Sequence, residues 1–318
     1  MAGPVAVTGA AGFIGQEACS TLLRAGYSVR ALARRPFVPP DAPTSNFAVI
    51  PVEDLATAND LEELLAGADA VVHLAARVHR TADDPERSAQ FYDRDVQMTR
   101  ALALAAHHAG VRRFVYLSSI KALGDQSPNG ALARNAAPKP VDSYGRAKLQ
   151  AERELAALSD STALPLVVIR PPLVYGARAS ANFRELVRWV KRGIPLPLAG
   201  VHNRRSIVSV ENLASFIARC LGPMDATFSL FHVSDPEPVS TPQLLRYVAA
   251  GLAVRPRLFS VRTEILEALC TMLGRTDVAA RLLASLELET EDSFRSLTWR
   301  PPTATDAGIA RAVRSMKL

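Results

Sequence analysis

The chain has 318 residues, of which 48% are hydrophobic and 21% are charged, and its formal net charge is +6. A chain of this length can bury a substantial core, and no apolar run reaches the roughly 18 residues that a membrane-spanning helix needs, so we predict no transmembrane segment. The basic residues are spread along the chain and form no cluster, which argues against a nucleic-acid partner.

Cysteine usage and the N-terminal sequence indicate the compartment. Cys19, Cys220 and Cys270 are scattered, odd in number and without metal-ligand spacing. This pattern predicts reduced thiols and no metal site. The opening "MAGPVAVTGAAGFIG" lacks the basic segment of a signal peptide and leads directly into a strand pattern. We therefore expect a cytoplasmic protein.

Short apolar runs alternate with helical patterns along the first half of the chain. The runs are "VAVTG", "SVRALA", "AVIPV", "AVVHLAA", "RFVYLSS" and "LPLVVIRPP". Between them, stretches such as "GQEACSTLLRAG" and "VQMTRALALAAHHAG" repeat apolar residues at helical spacing. Regular alternation of this kind requires a parallel sheet with helices on both faces. The sequence therefore predicts an α/β fold built on a doubly wound parallel sheet of the Rossmann type.

The first predicted turn carries three glycines, in "TGAAGFIG". Gly9 permits a tight turn, Gly12 lets the backbone approach a pyrophosphate, and Gly15 allows the helix to pack closely on the strand. The helix that follows points its free N–H groups and the positive end of its dipole at the same place. Three glycines also occur in ordinary turns, but their position between a strand and a helix favours a dinucleotide site.

The end of the second predicted strand bears on the choice of dinucleotide. An acidic residue there would bind the ribose 2′-hydroxyl of NAD, whereas arginine would pair with the 2′-phosphate of NADP. The sequence has Ala33 at the acidic position, followed by Arg34 and Arg35. Because a guanidinium group suits a phosphate, NADP(H) is the favoured cofactor. NAD(H) stays open as the alternative, in which both arginines are simply solvated.

Two further loops lie at the expected cofactor edge of the sheet. Asp54 and Leu55 follow the third predicted strand, where a carboxylate could accept a hydrogen bond from the adenine amino group. The fourth strand ends in "HLAA", so Leu74, Ala75 and Ala76 are expected beside the cofactor. Both predictions rest on the rule that ligands bind at the carboxyl ends of parallel strands.

Tyr144 and Lys148, in "DSYGRAKLQAERELA", are one turn apart on a predicted helix and share a face. Such a pair arises by chance in some chains, but here it follows a strand whose carboxyl end carries Ser118 and Ser119. Because a nearby ammonium favours phenolate, we expect Lys148 to move the pKa of Tyr144 toward neutrality. The phenol would then exchange a proton with a carbonyl or alcohol while a serine hydroxyl steadies the same oxygen. A nicotinamide would supply or accept the hydride.

Five spaced motifs, "TGAAGFIG", "HLAA", "SSIKALGD", "YGRAK" and "RPPLVYG", resemble the extended short-chain dehydrogenases/reductases. The resemblance is to the nucleotide-sugar epimerase/dehydratase group and covers nearly the whole chain. It implies that Ser119 is the catalytic serine, Tyr144 the acid/base and Lys148 its partner, which also holds the nicotinamide ribose. The same motifs imply additional cofactor contacts at Phe13, Ile14 and Pro171. One departure is Ala122-Leu123-Gly124, where many relatives have Val-Tyr-Gly.

The β-α rhythm weakens after "RPPLVYG", where Pro-rich turns such as "GIPLPLAG" appear. This change predicts a dinucleotide-binding domain over 1–170. Over 171–318 it predicts mainly a smaller C-terminal substrate lobe, interleaved with the last strands of the sheet. Apolar residues at helical spacing in "TEILEALCTMLG" and "VAARLLASLEL" predict two helices near the C-terminus. We expect these helices to pack on the core, and the alternatives are that they contact a partner or a membrane surface.

The resemblance implies that this lobe binds a UDP-sugar. It assigns Asn182 and Arg205 to the diphosphate, and Leu196 and Leu198 to the uracil. The planar fork of Arg205 suits phosphate oxygens. A helix N-cap is an equally good interpretation of Asn182, and a core position is the better interpretation of the leucines. Asn212 stands where many relatives have aspartate.

Several activities fit the resemblance. A 4-reductase would consume NADPH, whereas a 4-epimerase would keep NAD bound and return the hydride to the other face of the sugar. Arg34 and Arg35 favour the reductase. The stretches "SSIKALGD" and "HNRRSIVSVENLA" resemble the subgroup that reduces UDP-4-keto-6-deoxy-N-acetylglucosamine to UDP-N-acetylquinovosamine, a sugar of bacterial surface polysaccharides.

Two other classes are disfavoured. A dehydratase would need an Asp-Glu pair that Ser119-Ile120-Lys121 does not provide. A non-catalytic, dinucleotide-sensing regulator would by resemblance lack the tyrosine or the lysine, and this chain has both. The stretches "VQMTRALALAAHHAG" and "YGRAKLQAERELAAL" resemble the helices of the family's dimer interface, which implies a homodimer.

Overall fold

The computed structural model describes residues 3–41, 43–75, 85–179, 181–274 and 276–316. The strands within these ranges are β1 Val5–Thr8, β2 Val29–Ala33, β3 Phe47–Pro51, β4 Ala70–His73, β5 Arg113–Leu117, β6 Leu166–Arg170, β7 Leu173–Tyr175, β8 Ile207–Ser209 and β9 Phe228–His232. The α-helices are α1 Phe13–Arg24, α2 Leu61–Leu65, α3 Pro85–His108, α4 Ser143–Thr162, α5 Ala181–Lys191, α6 Val210–Cys220, α7 Thr241–Gly251, α8 Thr263–Met272, α9 Thr276–Leu283, α10 Glu291–Ser296 and α11 Thr305–Arg314. A short 3-10 helix spans Ile120–Ala122.

Seven parallel strands form the main sheet, in the order β3-β2-β1-β4-β5-β6-β9. The prediction of a doubly wound α/β fold is confirmed, and all six predicted strands are present. Strand order reverses between β1 and β4, which opens a crevice at the carboxyl edge where such sheets bind ligands. β9 comes from the second half of the chain and completes the sheet. β7 and β8 form a separate parallel pair.

Apolar layers on both faces of the sheet explain why its central strands are continuous hydrophobic runs. On one face α1 and α6 contribute buried residues such as Leu22 and Phe216. On the other face α2, α3 and α4 contribute Leu65, Leu102 and Leu155. A third cluster joins α5, α7 and α11, and we call the elements packed around this cluster the C-terminal lobe. These layers hold the loops at the carboxyl edge in place.

The last predicted helix is shorter than its apolar pattern suggests. The pattern "VAARLLASLEL" predicts a helix to Leu288, but α9 ends at Leu283. The chain then runs extended, and Leu286 and Leu288 form bridges with Arg205 and Leu132, respectively. The extended path buries both leucines against Ile120, next to the carboxyl end of β5. Tertiary pairing has therefore overridden the helical periodicity.

Candidate active site

The glycine turn after β1 has the geometry that a dinucleotide pyrophosphate requires. Gly9 has a φ of +64°, and a side chain there would place Cβ 2.7 Å from the backbone nitrogen of Ala75. A Cβ on Gly15 would overlap the carbonyl oxygen of Gly9. α1 has no side-chain cap at Gly12 and no acidic residue in its first turn, so its N–H groups and dipole are open to an anion. The residues therefore fit the predicted dinucleotide.

Phe13 and Ile14 occupy the first turn of α1 and serve two different cores. Ile14 packs against the cluster under the sheet. Phe13 packs against the cluster of the C-terminal lobe, and a Cβ on Gly176 would lie 3.1 Å from the Phe13 ring. Phe13 thus connects the glycine turn to the second lobe, a role that the motif alone did not indicate.

A chain of hydrogen bonds through His73 ties the ends of β1 and β4 together. Thr8 Oγ1 lies 2.7 Å from His73 Nδ1, and His73 Nε2 lies 3.0 Å from Thr99 Oγ1. Thr99 donates to the carbonyl of Asp95, and Thr8 accepts from the N–H of Ala75. These directions assign the ring proton to Nε2. Burial, with a smaller effect of a neighbouring lysine, lowers the pKa of His73 to about 3, so the ring is a neutral structural link.

The hydrogen-bonded link holds the predicted cofactor loop in place. Leu74 donates its N–H to the carbonyl of Thr8, and Ala75 lies against Gly9. Ala76 lies outside the described residues. The sequence motif "HLAA" drew attention to this loop, but the threonines that fix it carried no sequence signal of their own.

The predicted 2′-phosphate residues follow β2 directly. Ala33 is the buried last residue of the strand, and Arg34 and Arg35 are exposed after it. Within the described part of the chain, neither guanidinium has a hydrogen bond or an ion pair. Asp54 accepts from the N–H of Ala56 at 3.0 Å and so shapes its own loop, while Leu55 packs against the core.

The start of α4 is fastened to the loop after β5, which brings Tyr144 to Ser119. Asp142 caps α4 by accepting from the N–H of Gly145 at 2.7 Å and also pairs with Lys121. A Cβ on Gly145 would overlap the carbonyl oxygen of Lys121, so only glycine permits this approach. The Ser119 side chain lies close enough to the Tyr144 phenol to lower its pKa, against the larger effect of burial. The predicted acid/base and catalytic serine therefore meet at the carboxyl edge of the sheet.

Lys148 is buried beneath Tyr144 and is anchored to β5. Its Nζ donates to Tyr116 Oη at 3.1 Å and to the carbonyl of Leu117 at 3.0 Å. The same atom lies 5.8 Å from the centre of the Tyr144 ring. Burial lowers the pKa of Lys148 to about 8, against the opposing effect of nearby carboxylates. Tyr116 is thus a partner of Lys148 that the sequence analysis missed.

The expected downward shift of the Tyr144 pKa is not found in this structure. Burial raises the pKa of Tyr144 above its ordinary value, and only the effect of the Ser119 side chain acts in the opposite direction. Lys148 directs its N–H groups to Tyr116 and Leu117. Desolvation therefore sets the pKa of Tyr144, and the phenol stays protonated at neutral pH.

A buried carboxylate lies next to the predicted catalytic residues. Ser118 donates to Glu152 Oε1 at 2.5 Å, and Arg170 forms two hydrogen bonds with the same carboxylate, at 2.9 and 2.5 Å. Glu152 lies one turn beyond Lys148 on α4. Pro171 follows Arg170, and its carbonyl accepts from the N–H of Ile120 at 3.0 Å. Ser118 therefore has a structural role, while Ser119 faces the site. The spacing of one helical turn from Lys148 could have identified Glu152 as a residue on the same face of α4.

The predicted substrate residues are not all brought together. Asn182 is the second residue of α5, so it is not the N-cap of this helix, which was one of the two interpretations of the sequence. The structure does not describe the Asn182 side chain. Leu198 is buried in the core of the C-terminal lobe, and Leu196 packs beside it. Arg205 donates to the carbonyls of Ala284 and Ala280, at 2.8 and 3.4 Å, near the end of α9. Core and capping roles therefore account for the observed contacts of Arg205 and both leucines.

Asn212 belongs to a buried network with a carboxylate from another segment. Its Nδ2 donates to Asp235 Oδ1 at 2.7 Å and to the carbonyl of Thr303 at 2.9 Å, and its Oδ1 accepts from the N–H of Thr303 at 3.0 Å. Asp235 also accepts from the hydroxyl of Tyr175 at 2.6 Å. The acidic group is therefore supplied by Asp235, and the amide at 212 is its complement.

Among the described residues, no group of three or more His, Cys, Asp or Glu side chains is arranged to hold a metal ion. In the same ranges, no helix combines the length and the apolar character needed to cross a bilayer.

The chain is similar to known proteins over almost its whole length. It matches the model of the NAD dependent epimerase/dehydratase family over residues 5–228. It is 32% identical to a UDP-glucose 4-epimerase of Vibrio cholerae, over 98% of this chain and 94% of the relative. It is 29% identical to an N-acetyl-alpha-D-glucosaminyl-diphospho-ditrans,octacis-undecaprenol 4-epimerase of Escherichia coli O157:H7, over 78% and 72% of the two chains. Among solved structures, MoeE5 in complex with UDP-glucuronic acid and NAD is similar at a TM-score of 0.78 and 25% identity, over 98% of each chain.

Proposed function

The chain belongs to the NAD dependent epimerase/dehydratase family, and we propose that it catalyses oxidation or reduction at C4 of a UDP-linked hexose. The observation that carries this proposal is the proximity of the Ser119 and Tyr144 side chains at the carboxyl edge of the sheet, where Ser119 acts on the pKa of the phenol. Lys148 lies buried beside them, and the glycine turn opens at the same edge. A bound nicotinamide would supply or accept the hydride.

The favoured reaction is reduction of a 4-keto sugar. Burial keeps Tyr144 protonated at neutral pH, so the resting phenol is ready to donate its proton to a ketone oxygen. Ser119 would donate a hydrogen bond to the same oxygen and stabilise the charge that develops there. The ammonium of Lys148 would then stabilise the phenolate left behind, and it is charged below its pKa of about 8.

Two exposed arginines support NADPH as the reductant. Arg34 and Arg35 follow the end of β2, where the ribose of a dinucleotide lies in this fold, and have no acidic partner within the described residues. A guanidinium pairs with a phosphate in two parallel hydrogen bonds. We therefore propose NADPH-dependent reduction of a UDP-4-keto-hexose of the UDP-N-acetylquinovosamine type, for surface polysaccharide synthesis.

The second candidate is a UDP-hexose 4-epimerase that retains NAD. It is favoured by the Vibrio cholerae relative, whose name is UDP-glucose 4-epimerase and which aligns over 98% of this chain. In this reaction Tyr144 would first act as a base toward the C4 hydroxyl and later return the proton. The raised pKa of Tyr144 makes that first step harder than proton donation.

Cofactor binding and turnover separate the two reactions. The purified chain is stripped of nucleotide, titrated with NADPH and NADH, and assayed with UDP-4-keto-6-deoxy-N-acetylglucosamine and with UDP-glucose. We expect preference for NADPH, and a decrease of roughly tenfold or more in that preference for Arg34→Ser/Arg35→Ser. Tightly held NAD with turnover of UDP-glucose would make the chain an epimerase.

The role of Tyr144 is tested in the same assay. Tyr144→Phe should reduce kcat by about 100-fold to 10,000-fold, because the general acid is lost. Tyr247→Phe, on α7 in the other lobe, is the matched control and should leave turnover unchanged. Unchanged turnover in Tyr144→Phe would refute the proposed chemistry for both reactions.

We also propose a homodimer formed through α3 and α4. The two helices share one face of the sheet and pack beside each other, with Leu102 and Leu155 in a common core cluster. Sedimentation analysis of the full chain tests this: a monomer at micromolar concentration would exclude a stable dimer.

A further inference from the structure

Exposed apolar side chains are concentrated in one part of the C-terminal lobe. Among the described residues, four large hydrophobic side chains on or just after α8 are about half exposed or more, and two others precede the helix. They are Ile265, Leu269, Met272, Leu273, Ile194 and Phe259. Scattered single hydrophobic residues are normal on a surface, but a contiguous group marks an interaction site.

The exposed group on α8 lies on one side of the helix. The exposed fractions of its four apolar side chains are 56% for Ile265, 47% for Leu269, 79% for Met272 and 65% for Leu273. Successive members are four, three and one residues apart, so they form a continuous stripe along the helix. Leu266, on the adjoining side, is the buried anchor of the helix in the lobe. The apolar arc of α8 is therefore wider than the part that packs on the protein.

The neighbouring loop joins this stripe to α5. Leu196 donates its N–H to the carbonyl of Arg257, and Phe259 donates to the carbonyl of Leu196, at 2.8 and 3.1 Å. A Cβ on Gly193 would lie 3.9 Å from Arg257 Nε. The segment after α5 and the loop before α8 consequently lie side by side, and they carry the exposed side chains of Ile194 and Phe259.

Basic residues are interspersed along the same segments that carry the exposed apolar side chains. Lys191 ends α5 and Arg192 follows it, Arg255 and Arg257 lie in the loop before α8, and Arg262 immediately precedes that helix. All five are exposed, and within the described residues none of them has an ion pair. The polar side of α8 carries only two acidic residues, Glu264 and Glu267.

We propose that this basic apolar face, defined as the exposed stripe of α8 with Ile194, Phe259 and the five basic residues, docks on an anionic lipid surface. An apolar helix face flanked by Arg and Lys is the form in which peripheral helices enter the headgroup region. Each basic residue near an anionic leaflet adds attraction, and the apolar side chains enter below the headgroups. The proposal is independent of the reaction at C4.

Charge argues against a second copy of the chain as the occupant. A two-fold dimer through this face would bring the same patch of each copy together. The five basic residues of each copy would then face those of the other, with only Glu264 and Glu267 of each α8 to offset ten positive charges, which disfavours association. An anionic surface satisfies the apolar and the basic groups together.

Flotation of the full chain with vesicles tests the proposal. The wild type should float with vesicles of phosphatidylglycerol and phosphatidylcholine, and it should stay at the bottom with phosphatidylcholine alone. Leu269→Gln/Met272→Gln should weaken binding by at least about tenfold, because the apolar side chains no longer enter the bilayer. Arg255→Gln/Arg262→Gln should weaken binding roughly fivefold for each charge removed.

A matched control distinguishes binding through this face from nonspecific binding of exposed apolar side chains to membranes. Val38→Gln/Val141→Gln removes two valines that are 73% and 60% exposed elsewhere, and it should float like the wild type. Turnover of soluble UDP-sugar should be the same in all of these variants, which shows that they are folded. The proposal is overturned if the wild type does not float, if phosphatidylcholine alone binds it equally, or if the α8 variant floats normally. It is also overturned if the α8 variant instead dissociates a dimer.

Discussion

Exchanging the amide of Asn212 for a carboxylate should create a pH-dependent loss of stability. Asn212 Nδ2 donates to Asp235 at 2.7 Å and to the carbonyl of Thr303 at 2.9 Å. In Asn212→Asp both donors disappear, and two carboxylates face each other within hydrogen-bond distance. Desolvation already raises the pKa of Asp235 in the wild type, so the site does not tolerate a second negative charge.

The magnitude follows from proton uptake. One proton shared by the two carboxyl groups removes the repulsion and restores one donor. Holding that proton at pH 7, about three units above the ordinary pKa of an aspartate, costs about 4 kcal/mol, and at pH 5 about 1.5 kcal/mol. Loss of the second donor adds about 1 kcal/mol at any pH.

The sign of the pH dependence is fixed by the proton count. Between about pH 4 and 7 the folded variant binds one proton more than its unfolded chain, so unfolding releases a proton and becomes easier as pH rises. The free energy of unfolding of Asn212→Asp, relative to the wild type, should therefore fall by about 1.4 kcal/mol per pH unit. Acidification should restore most of the lost stability.

Urea unfolding at pH 5, 6 and 7, followed by circular dichroism, provides the measurement. Asn46→Asp, at an exposed position before β3, is the matched control and should differ from the wild type by less than about 0.5 kcal/mol at each pH. A loss in Asn212→Asp that is the same at all three pH values would refute the shared proton. A loss below about 1 kcal/mol at pH 7 would refute the network itself.

Two further predictions concern the support of Lys148 and the core beneath it. Glu152→Ala should lower the free energy of unfolding in urea by about 3 to 5 kcal/mol, because Arg170 is left buried without its carboxylate. Glu154→Ala is the control on the surface of the same helix, and it should lower that free energy by less than about 1 kcal/mol. Equal losses in the two variants would contradict this account. Tyr116→Phe removes a hydrogen-bond acceptor of Lys148 and should lower the pKa of Lys148 from about 8 by about one unit. In a plot of kcat/KM against pH, the alkaline limb should therefore move to lower pH by the same amount. An unmoved limb would mean that Tyr116 does not support the charged lysine.

The main sheet was predictable because its signals are local. Each central strand is buried on both faces and therefore reads as a continuous apolar run, and β-α alternation leaves few topologies. The end of α9 was not predictable, since the residues after Leu283 keep a helical apolar pattern. Their extended path depends on pairing with Arg205 and Leu132, which are distant in the sequence.

The candidate site also has features that could be predicted from the sequence and features that could not. One helical turn separates Tyr144 from Lys148, so their shared face could be derived from spacing. The pKa of Tyr144 could not, because it depends on how much water the folded chain excludes. The partners of Arg205 likewise come from the end of α9, and Asp235 completes the Asn212 network from a segment 23 residues away.

The single stripe of α4 that carries Tyr144, Lys148 and Glu152 restricts how the gene can change in length. One inserted residue between Tyr144 and Glu152 would rotate everything beyond it by about 100°. The lysine or the carboxylate would then turn away from β5, so function and core would be lost together. Insertions should instead accumulate in surface loops such as that before β3, where no side chain has to keep a helical phase. The helical geometry therefore constrains the length of this segment of α4, separately from the identity of its residues.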